Sequence, residues 1–434
     1  MKIKNYRWLV VVLIFFATTI NYIDRQIIGL LKPILEVEFN WTESDYAYIV
    51  MAFTAAYAIG LLLVGRLIDK IGTRTGFSII MVFWSLAGMA HAFARSVFQF
   101  IIARVALGFG EAGNFPAGMK AISEWFPKKE RGIATGILNS GPSIGVVMAL
   151  LIVPMILAKL SWHWVFLITG ALGFVWLIFW LMFYQIPAKQ KRLTQEEFEL
   201  IKDGASDDES AKQEASAIKV KWSKLFSFPH TWALIAGKGL IDPIFWFFLF
   251  WLPSYFSTTY ALDLTRPSLE LIIIYSATTL GSFLGGYFSS LLVRKGWGAI
   301  DARKRTLLIF AITAGFAVIS AQFTTAAWMA VAVISIAVAV HQAWATNVFT
   351  MAADMFPKET VGSAVGIAGM AGAVGGIFFP LLVGFLLDTF KASGNITAGY
   401  NMLFTICGFT YLTAWLIIHF LTKNRSALKL EDLK

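Results

Sequence analysis

Long apolar runs separated by short polar segments recur along the whole chain. Each run holds about 20 residues, the length that one helix needs to cross the hydrocarbon core of a bilayer. The pattern predicts twelve spanning helices, at residues 8–29, 46–66, 76–95, 98–122, 132–158, 162–184, 232–257, 269–293, 306–323, 325–353, 362–388 and 399–421. The sequence therefore indicates an all-α polytopic membrane protein.

One long polar stretch, residues 185–231, interrupts this pattern and is rich in both charge signs. Six predicted spans lie on each side of it. We therefore predict an amino-terminal six-helix bundle at 1–184, a cytoplasmic linker at 185–231 and a carboxy-terminal six-helix bundle at 232–434. Within the linker, Thr194 followed by Glu197 fits a capping box that opens a short helix.

The two halves repeat one another at one constant offset. The matching residues are Phe126, Pro127, Lys128, Gly132, Ala134, Gly136, Ile137 and Gly145 in the first half and Phe356, Pro357, Lys358, Gly362, Ala364, Gly366, Ile367 and Gly375 in the second. Because both halves hold an even number of spans and begin on the same side, the repeat is parallel. Parallel six-helix repeats are a feature of the major facilitator architecture.

Composition and charge agree with a membrane protein. Of 434 residues, 58% are hydrophobic and 14% are charged, which excludes an ordinary soluble globular protein. The formal net charge of +10 needs no nucleic acid, because basic residues concentrate in the loops on the amino-terminal side of the membrane. This bias predicts that both termini lie in the cytoplasm. The single cysteine, Cys407, excludes an intrachain disulfide.

An integral-membrane enzyme or a sensor is the competing class. The five histidines are scattered, and neither HExxH nor GxSxG occurs. The linker is too short and too polar for a sensor's output domain. We therefore expect no enzyme activity, no metal and no cofactor.

The first span carries two adjacent charges, Asp24 and Arg25. A charge at the centre of a membrane helix costs about 2.5–3.5 kcal/mol on insertion scales, so this pair suggests a function. The alternative is that both residues mark the helix end and reach towards water. The apolar residues Ile27 and Ile28 argue against it, because the helix continues beyond the charges.

The fourth span carries Arg104 and Glu111. Seven residues are about two helical turns, or about 10 Å, so both side chains lie on one face. A buried carboxyl can hold a proton and release it when a cation approaches. A purely structural Arg–Glu pair is the alternative. The repeat offset carries Glu111 onto His341, a second titratable residue in the second half.

The seventh span combines a cation with a helix break. Lys238 is the natural cation for an anionic substrate, although reaching to the inner membrane surface would also explain it. Asp242 precedes a proline that interrupts the helix, and Trp246 follows. Side chains suited to sugar hydroxyl groups occur as Tyr22, Tyr57, Gln342, Thr346 and Asn347, and His341 is a further candidate for substrate contact.

Glycines mark two further features. The eleventh span carries glycines that form a packing surface, at Gly362, Gly366, Gly369, Gly372, Gly375 and Gly376. The loop after the second span has Gly65, Asp69, Lys70, Gly72 and Arg74, and it resembles the signature loop of the major facilitator superfamily. Gly72 permits a tight turn there, and Asp69 can pair with basic or helix-terminal groups. The equivalent loop of the second half, 286–296, has Ser290 where the acid would be.

Longer motifs carry a closer resemblance over essentially the whole chain. They are Tyr22-Ile-Asp24-Arg25, the stretch from Arg104 to Pro116, the stretch from Glu124 to Arg131, and Asp242-Pro243. They resemble the anion:cation symporter family. Asp242-Pro243, His341-Gln342 and the glycine run from Gly366 are similar to bacterial hexuronate transporters.

This resemblance implies proton-driven uptake of a sugar acid such as glucuronate or galacturonate. It implies proton-coupling roles for Asp24 and Glu111 and substrate contacts at Arg25, Tyr22, Tyr57 and Lys238. Substrate would bind at the midplane between two halves that rock, in a carrier expected to be monomeric. Galactonate, tartrate and phthalate-like acids remain alternatives. Relatives that carry aldonates have a polar amide where this chain has Gly369.

Overall fold

The computed structural model describes residues 4–202, 222–423 and 427–428. A few side chains within helices, Asp69 among them, lie outside that description, as does residue range 203–221 of the predicted linker. The described chain is predominantly helical. Contacts group it into two compact units, the first from Met1–Leu31, Ala52–Ala217 and Thr265–Pro267, the second from Lys32–Met51, Ile218–Leu264 and Ser268–Lys434.

The helices follow the predicted spans. Before the linker they are α1 (Tyr6–Phe39), α2 (Glu43–Ile71), α3 (Thr73–Ala90), α4 (Val97–Glu111), α5 (Asn114–Trp125), α6 (Lys128–Leu157), α7 (Trp162–Phe183) and α8 (195–202). After it they are α9 (Trp222–Leu225), α10 (Pro229–Gly239), α11 (Asp242–Tyr260), α12 (Leu269–Arg294), α13 (Ala299–Ser320), α14 (Ala327–Met355), α15 (Lys358–Ala392) and α16 (Ile396–Thr422).

Eleven helical segments within the described residues are long and apolar enough to cross a membrane. The predicted fourth span, 98–122, is not among them, because α4 ends at Glu111 and α5 begins at Asn114. This segment also carries Arg104 and Lys120. The predicted fourth span therefore consists of two helices, α4 and α5, with a break at residues 112–113.

The predicted seventh span is two helices, as the proline indicated. α10 ends at Gly239, and α11 begins at Asp242 with Pro243 in its first turn. Proline is well tolerated there, because the first helical N–H groups have no partner within the helix. The nearby side of α15 is lined by glycine, and a Cβ at Gly372 would collide with the Asp242 carboxylate. The predicted packing role of the glycine surface is confirmed at this position.

Matching contacts inside each unit support the predicted repeat. In the first unit, Thr73 Oγ1 donates to Glu124 Oε1 at 2.7 Å. In the second unit, Arg303 Nε donates to Asp354 Oδ2 at 2.9 Å, and these residues lie at the same offset as the Phe-Pro-Lys match. The repeat therefore extends to tertiary contacts, with an ion pair replacing a neutral hydrogen bond in the second unit.

The start of the predicted linker is ordered against α1. Glu197 N donates to Thr194 Oγ1 at 3.3 Å, which confirms a cap at the start of α8. The Glu197 carboxylate accepts hydrogen bonds from the backbone N–H groups of Tyr6 and Arg7, at 2.9 and 3.1 Å. It therefore caps α1, whose first N–H groups would otherwise be unpaired.

Candidate functional site

Arg25 is the centre of a buried polar cluster in the first unit. Its side chain is 1% exposed, and the guanidinium donates to Glu111 Oε2 from Nε at 3.1 Å and from Nη2 at 2.9 Å. Nη2 also lies 3.3 Å from Asn21 Oδ1, one helical turn earlier. Removing one partner of such a buried pair costs about 3–5 kcal/mol, because the other charge stays buried. The pair is therefore a strong constraint on how α1 meets α4.

Three aromatic rings surround the Arg25 guanidinium. Its carbon Cζ lies 4.5 Å from the ring centroid of Tyr22, 5.1 Å from Phe53 and 4.6 Å from Tyr57. Each ring face attracts a cation, by about 0.5–2 kcal/mol depending on solvent exposure. Tyr22 and Tyr57 are half-buried, so two of the three rings retain a surface that a ligand can reach.

Phe53 is the residue of this cluster that the sequence analysis missed. It stacks on Tyr57 with centroids 6.0 Å apart, and it also lies under Arg104, 5.5 Å from Cζ. A helical spacing of four residues between Phe53 and Tyr57 places both on one face of α2. That spacing is the signal that could have identified it.

Glu111 pairs with Arg25 although its spacing pointed to Arg104. Arg104 lies on the same helix as Glu111 and is fully buried. Its charge has a smaller effect on Glu111 than the charge of Arg25 has. The other carboxylate oxygen, Glu111 Oε1, is buried without a hydrogen-bond partner among the described residues. Glu111 thus has one oxygen bound to a cation and one available for a proton.

Close helix packing brings α2 against α4 at this point. A Cβ at Gly108 would collide with the backbone carbonyl of Phe53, and a Cβ at Gly110 would lie 2.8 Å from Trp84 Cβ. The two glycines of α4 therefore allow neighbouring helices to approach, as small residues do in membrane bundles. A side chain at position 108 would push Phe53 away from its place beneath the two arginines, and one at position 110 would push α3 away from α4.

Asp24 is buried beside this cluster and is 2% exposed. Among the described residues neither of its oxygens has a hydrogen-bond partner within bonding geometry, while Trp84 and Thr169 are its polar neighbours. An ionised carboxylate without a partner is costly in a membrane interior. A proton on Asp24 would remove that charge, so the geometry suits a group that gains and loses a proton.

Lys238 of the second unit has a carboxylate of its own. Its Nζ lies 2.8 Å from Asp242 Oδ1 and 4.4 Å from the ring centroid of Phe349. The ion pair spans the break between α10 and α11. Trp246, one turn further along α11, is half-buried and stacks on Phe250 at 5.8 Å. The positive charge of Lys238 is therefore already neutralised by Asp242.

The other candidates of the second unit divide into buried and accessible side chains. His341 is buried, shares a 2.9 Å hydrogen bond with Tyr411 and stacks on Phe245. Asn347 is also buried and donates to the Gly285 carbonyl at 2.7 Å. Gln342 and Thr346 are half-buried. These last two have the greater access for contact with a ligand.

The loop between α2 and α3 is built on a glycine turn. Gly72 has φ +83°, a conformation that other residues rarely adopt, as predicted for a tight turn. Arg74 Nη2 donates to the Leu181 carbonyl at 2.6 Å, which ties the start of α3 to α7. A Cβ at Gly65 would lie 3.8 Å from Pro116 Cβ, and Lys70 is exposed. The predicted role of Asp69 concerns a side chain outside the described part.

Among the described residues, no group of three or more His, Cys, Asp or Glu side chains could hold a metal ion. The titratable side chains brought together in the first unit are instead two carboxyl groups and two arginines. Such a set can bind an anion and carry protons without a cofactor.

Comparison with known proteins agrees with this arrangement. Residues 14–380 and 302–432 match the Major Facilitator Superfamily. The hexuronate transporter of Escherichia coli K12 is 32% identical over 432 residues, covering 99% of this chain and 97% of that protein. The galacturonate transporter of Dickeya chrysanthemi is 34% identical over 290 residues, covering 67% and 83%. The D-galactonate transporter of Escherichia coli O6:H1 is 29% identical over 384 residues, covering 88% and 89%.

Solved structures share the fold at lower identity. The inward-open xylose transporter XylE from E. coli superposes with a TM-score of 0.73, at 17% identity and 98% coverage of both chains. A bacterial homologue of the lysosomal transporter Spinster gives 0.77 at 16% identity and 99% coverage of both. The apolar helices, the repeated contacts and these matches lead to one conclusion: the chain belongs to the major facilitator superfamily and is a multi-pass membrane transporter, not an enzyme.

Proposed function

We propose that this protein takes up a hexuronate, such as glucuronate or galacturonate, together with protons across the bacterial inner membrane. The observation that carries the proposal is the buried Arg25 guanidinium bound to Glu111 and ringed by aromatic side chains. Similarity to transporters named for hexuronate and galacturonate supports the substrate class. The protein is proposed to act as a monomer with both termini in the cytoplasm.

The pairing of Arg25 with Glu111 suggests how proton and substrate are coupled. The guanidinium fork binds one carboxylate well, in two parallel hydrogen bonds. In the absence of substrate, Glu111 occupies both Nε and Nη2. When Glu111 takes up a proton, its attraction for the cation falls, and the substrate carboxylate can replace it. Substrate binding and protonation therefore favour one another.

Asp24 would carry a second proton. Its carboxyl is buried next to Arg25 in sequence, and among the described residues it has no hydrogen-bond partner to offset an ionised charge. The loaded carrier is then less charged while it reorients, which lowers the cost of moving charge through a low-dielectric interior. In this scheme Arg104 keeps the cluster from becoming a net anion when both carboxyl groups are ionised.

The sugar ring would be held by half-buried side chains. Tyr22 and Tyr57 offer ring faces and hydroxyl groups, and Gln342 and Thr346 offer hydrogen-bonding groups. Lys238 would contribute as a cation that Asp242 keeps neutralised, and His341 and Asn347 would support neighbouring helices. Polar groups that match sugar hydroxyls give selectivity, because an analogue lacking a hydroxyl leaves them unpaired.

The test is uptake of labelled glucuronate into proteoliposomes of the purified protein. We expect an inward proton gradient to increase accumulation by about tenfold or more, as a gradient of one pH unit provides for each proton carried. A protonophore should abolish the accumulation. Competition by unlabelled hexuronates, aldonates and neutral sugars then gives the substrate class. Uptake that is independent of the proton gradient contradicts proton coupling. Stronger competition by aldonates than by hexuronates contradicts the proposed substrate class.

Uptake of an aldonate is a second candidate, because the D-galactonate transporter is a relative over most of the chain. Gly369 offers a direct test, since nothing lies within 4 Å of the position that its Cβ would occupy. A Gly369→Asn variant supplies the polar amide. We expect its galactonate-to-glucuronate uptake ratio to rise by about tenfold, the effect of one added hydrogen bond.

Gly136→Asn is the matched control, because Gly136 also has open space around its Cβ position. This control should keep the parent ratio. If Gly369→Asn leaves the ratio unchanged, position 369 does not select between the two classes of sugar acid.

A further inference from the structure

A cluster of buried charges lies in the second unit, away from the residues proposed to bind substrate or protons. Lys32 near the end of α1 and Glu43 at the start of α2 are each 1% exposed. Lys32 Nζ lies 2.8 Å from Glu43 Oε1, 3.2 Å from Glu36 Oε2 and 3.1 Å from Ser254 Oγ of α11. One ammonium group thus joins α1, α2 and α11.

The amino end of α2 is held by a carboxylate from a distant helix. Asp388 of α15 accepts hydrogen bonds from the backbone N–H groups of Glu43 at 2.7 Å and Ser44 at 2.8 Å. A negative charge is favourable there, because the first N–H groups of a helix are unpaired and carry partial positive charge. One turn further on, the Tyr46 hydroxyl donates to the Phe250 carbonyl of α11 at 2.9 Å.

This contact depends on close approach of the two helices. Gly384 lies one turn before Asp388 on α15. A Cβ at Gly384 would lie 2.6 Å from Ala47 Cβ and 3.0 Å from both Ser44 Cα and the Glu43 carbonyl oxygen. A larger residue at 384 would therefore separate α15 from α2 and move Asp388 away from the N–H groups that it caps.

A polar cavity of about 490 Å³ lies next to the cluster. Its lining consists of Pro33, Glu36, Val37, Asn40, Trp41, Ser254, Thr258 and Lys391. Glu36 and Ser254 both line the cavity and bind Lys32. The buried charges therefore lie directly behind the wall of this cavity, and a displacement of that wall would expose them to solvent.

The helices joined here come from the two predicted bundles. α1 and α2 belong to the range 1–184, while α11 and α15 belong to 232–434. Alternating access requires such contacts to break and reform as the bundles rock. In the closed state the charges are paired with one another, which stabilises closure. In the open state each charge is solvated by water, so both states are accessible.

We propose that Asp388, Glu43, Lys32 and Ser254 form a latch that closes one end of the transport path and releases in every cycle. Asp388 makes the main contact of the latch, because among these four residues it alone connects α15 with α2. The latch goes beyond the proposed function, since it would act whatever the cargo. No residue of the latch belongs to the proposed substrate and proton sites.

The test is the accessibility of a cysteine placed behind the latch. Val50 is 1% exposed and lies seven residues after Glu43, on the same face of α2. The reporter is a Val50→Cys variant of the full chain in a Cys407→Ser background, which removes the native, buried thiol. The rate of modification by a water-soluble maleimide is measured on the purified protein without substrate.

We expect Asp388→Ala to raise the labelling rate by about tenfold, through loss of both the cap and the favourable charge. Asp45→Ala is the matched control. Asp45 Oδ2 caps the same helix end, accepting from Thr42 N at 2.9 Å, but it lies within α2 and makes no tie to α15. This control should label within about twofold of the parent, because a single local cap is lost.

Three further variants separate the latch from a folding defect. Gly384→Val should raise labelling as Asp388→Ala does, because it prevents the close approach sterically. Lys32→Met should also raise labelling, while Lys32→Met with Glu43→Met should return towards the parent rate, since no charge is then left unpaired.

The proposal is overturned if Asp388→Ala and Gly384→Val both label at the parent rate, or if Asp45→Ala raises labelling as much as Asp388→Ala. The latter result would mean local fraying of α2. Because the assay contains no substrate and no gradient, its failure would leave the hexuronate proposal untouched, and failure of hexuronate uptake would leave the latch untouched.

Discussion

An Arg25→Lys variant should lose substrate uptake by about 10- to 100-fold, the value of one charge-assisted hydrogen bond. Arginine presents two parallel N–H groups to a carboxylate, and lysine presents a point charge. Two features of this site require arginine. Arg25 binds Glu111 through two nitrogens, and its guanidinium lies against three aromatic rings that favour a flat cation. Initial rates of glucuronate uptake into proteoliposomes measure the effect.

Lys238→Ala is the comparison, because Lys238 is the other candidate cation and is already paired with Asp242. We expect it to reduce uptake less than Arg25→Lys does. Elution as a single species in detergent establishes that each variant is folded. Normal uptake by Arg25→Lys together with inactive Lys238→Ala would move the carboxylate site to the second unit.

A Glu111→Gln variant should exchange labelled for unlabelled hexuronate but fail to accumulate it against a gradient. Glutamine has the size and neutrality of the protonated acid, and it cannot release a proton. Arg25 keeps Asn21 and the surrounding rings as partners, so the site should persist. We expect exchange within about threefold of the parent and accumulation below about a tenth of it, since no proton on this group supplies driving force.

Glu130→Gln is the matched control for this experiment. Glu130 Oε2 also binds an arginine, lying 2.7 Å from Arg7 Nε, but Glu130 is not among the residues proposed to carry protons, and Arg7 retains Glu197 as a second carboxylate. The control should accumulate substrate as the parent does. If Glu111→Gln accumulates normally, Asp24 alone carries the coupling. If a folded Glu111→Gln loses exchange as well, Glu111 holds helices or substrate rather than the proton.

The sequence alone did not predict which residues pair with each buried charge. Charged residues inside apolar runs identified Asp24, Arg25, Arg104 and Glu111, because placing a charge in a membrane is costly enough to require a reason. Helical spacing then favoured Arg104 as the neighbour of Glu111. The hydrogen bonds to Glu111 come from Arg25 on another helix, since periodicity describes faces within one helix and carries no information about which helices meet.

The same limit applies to helix breaks and to capping. Asp242-Pro243 predicted the interruption between α10 and α11, because proline removes a backbone donor wherever it occurs. The break between α4 and α5 after Glu111 has no such marker, and no break was predicted within the span at 98–122. Thr194 and Glu197 were predicted to form a capping box at the start of α8. The Thr194 hydroxyl accepts the expected hydrogen bond from Glu197 N, whereas the Glu197 carboxylate caps the distant helix α1.

The sequence by itself determined that this protein is an all-helical membrane transporter built as a parallel repeat. Apolar run length, the Phe-Pro-Lys repeat and the glycine turn at Gly72 depend on local chemistry that any fold must respect. Only the tertiary structure decided that Phe53 lies beneath Arg25, that Asp242 neutralises Lys238, and that Asp388 caps α2. These contacts depend on which helix faces approach closely, and that is set by packing over the whole chain.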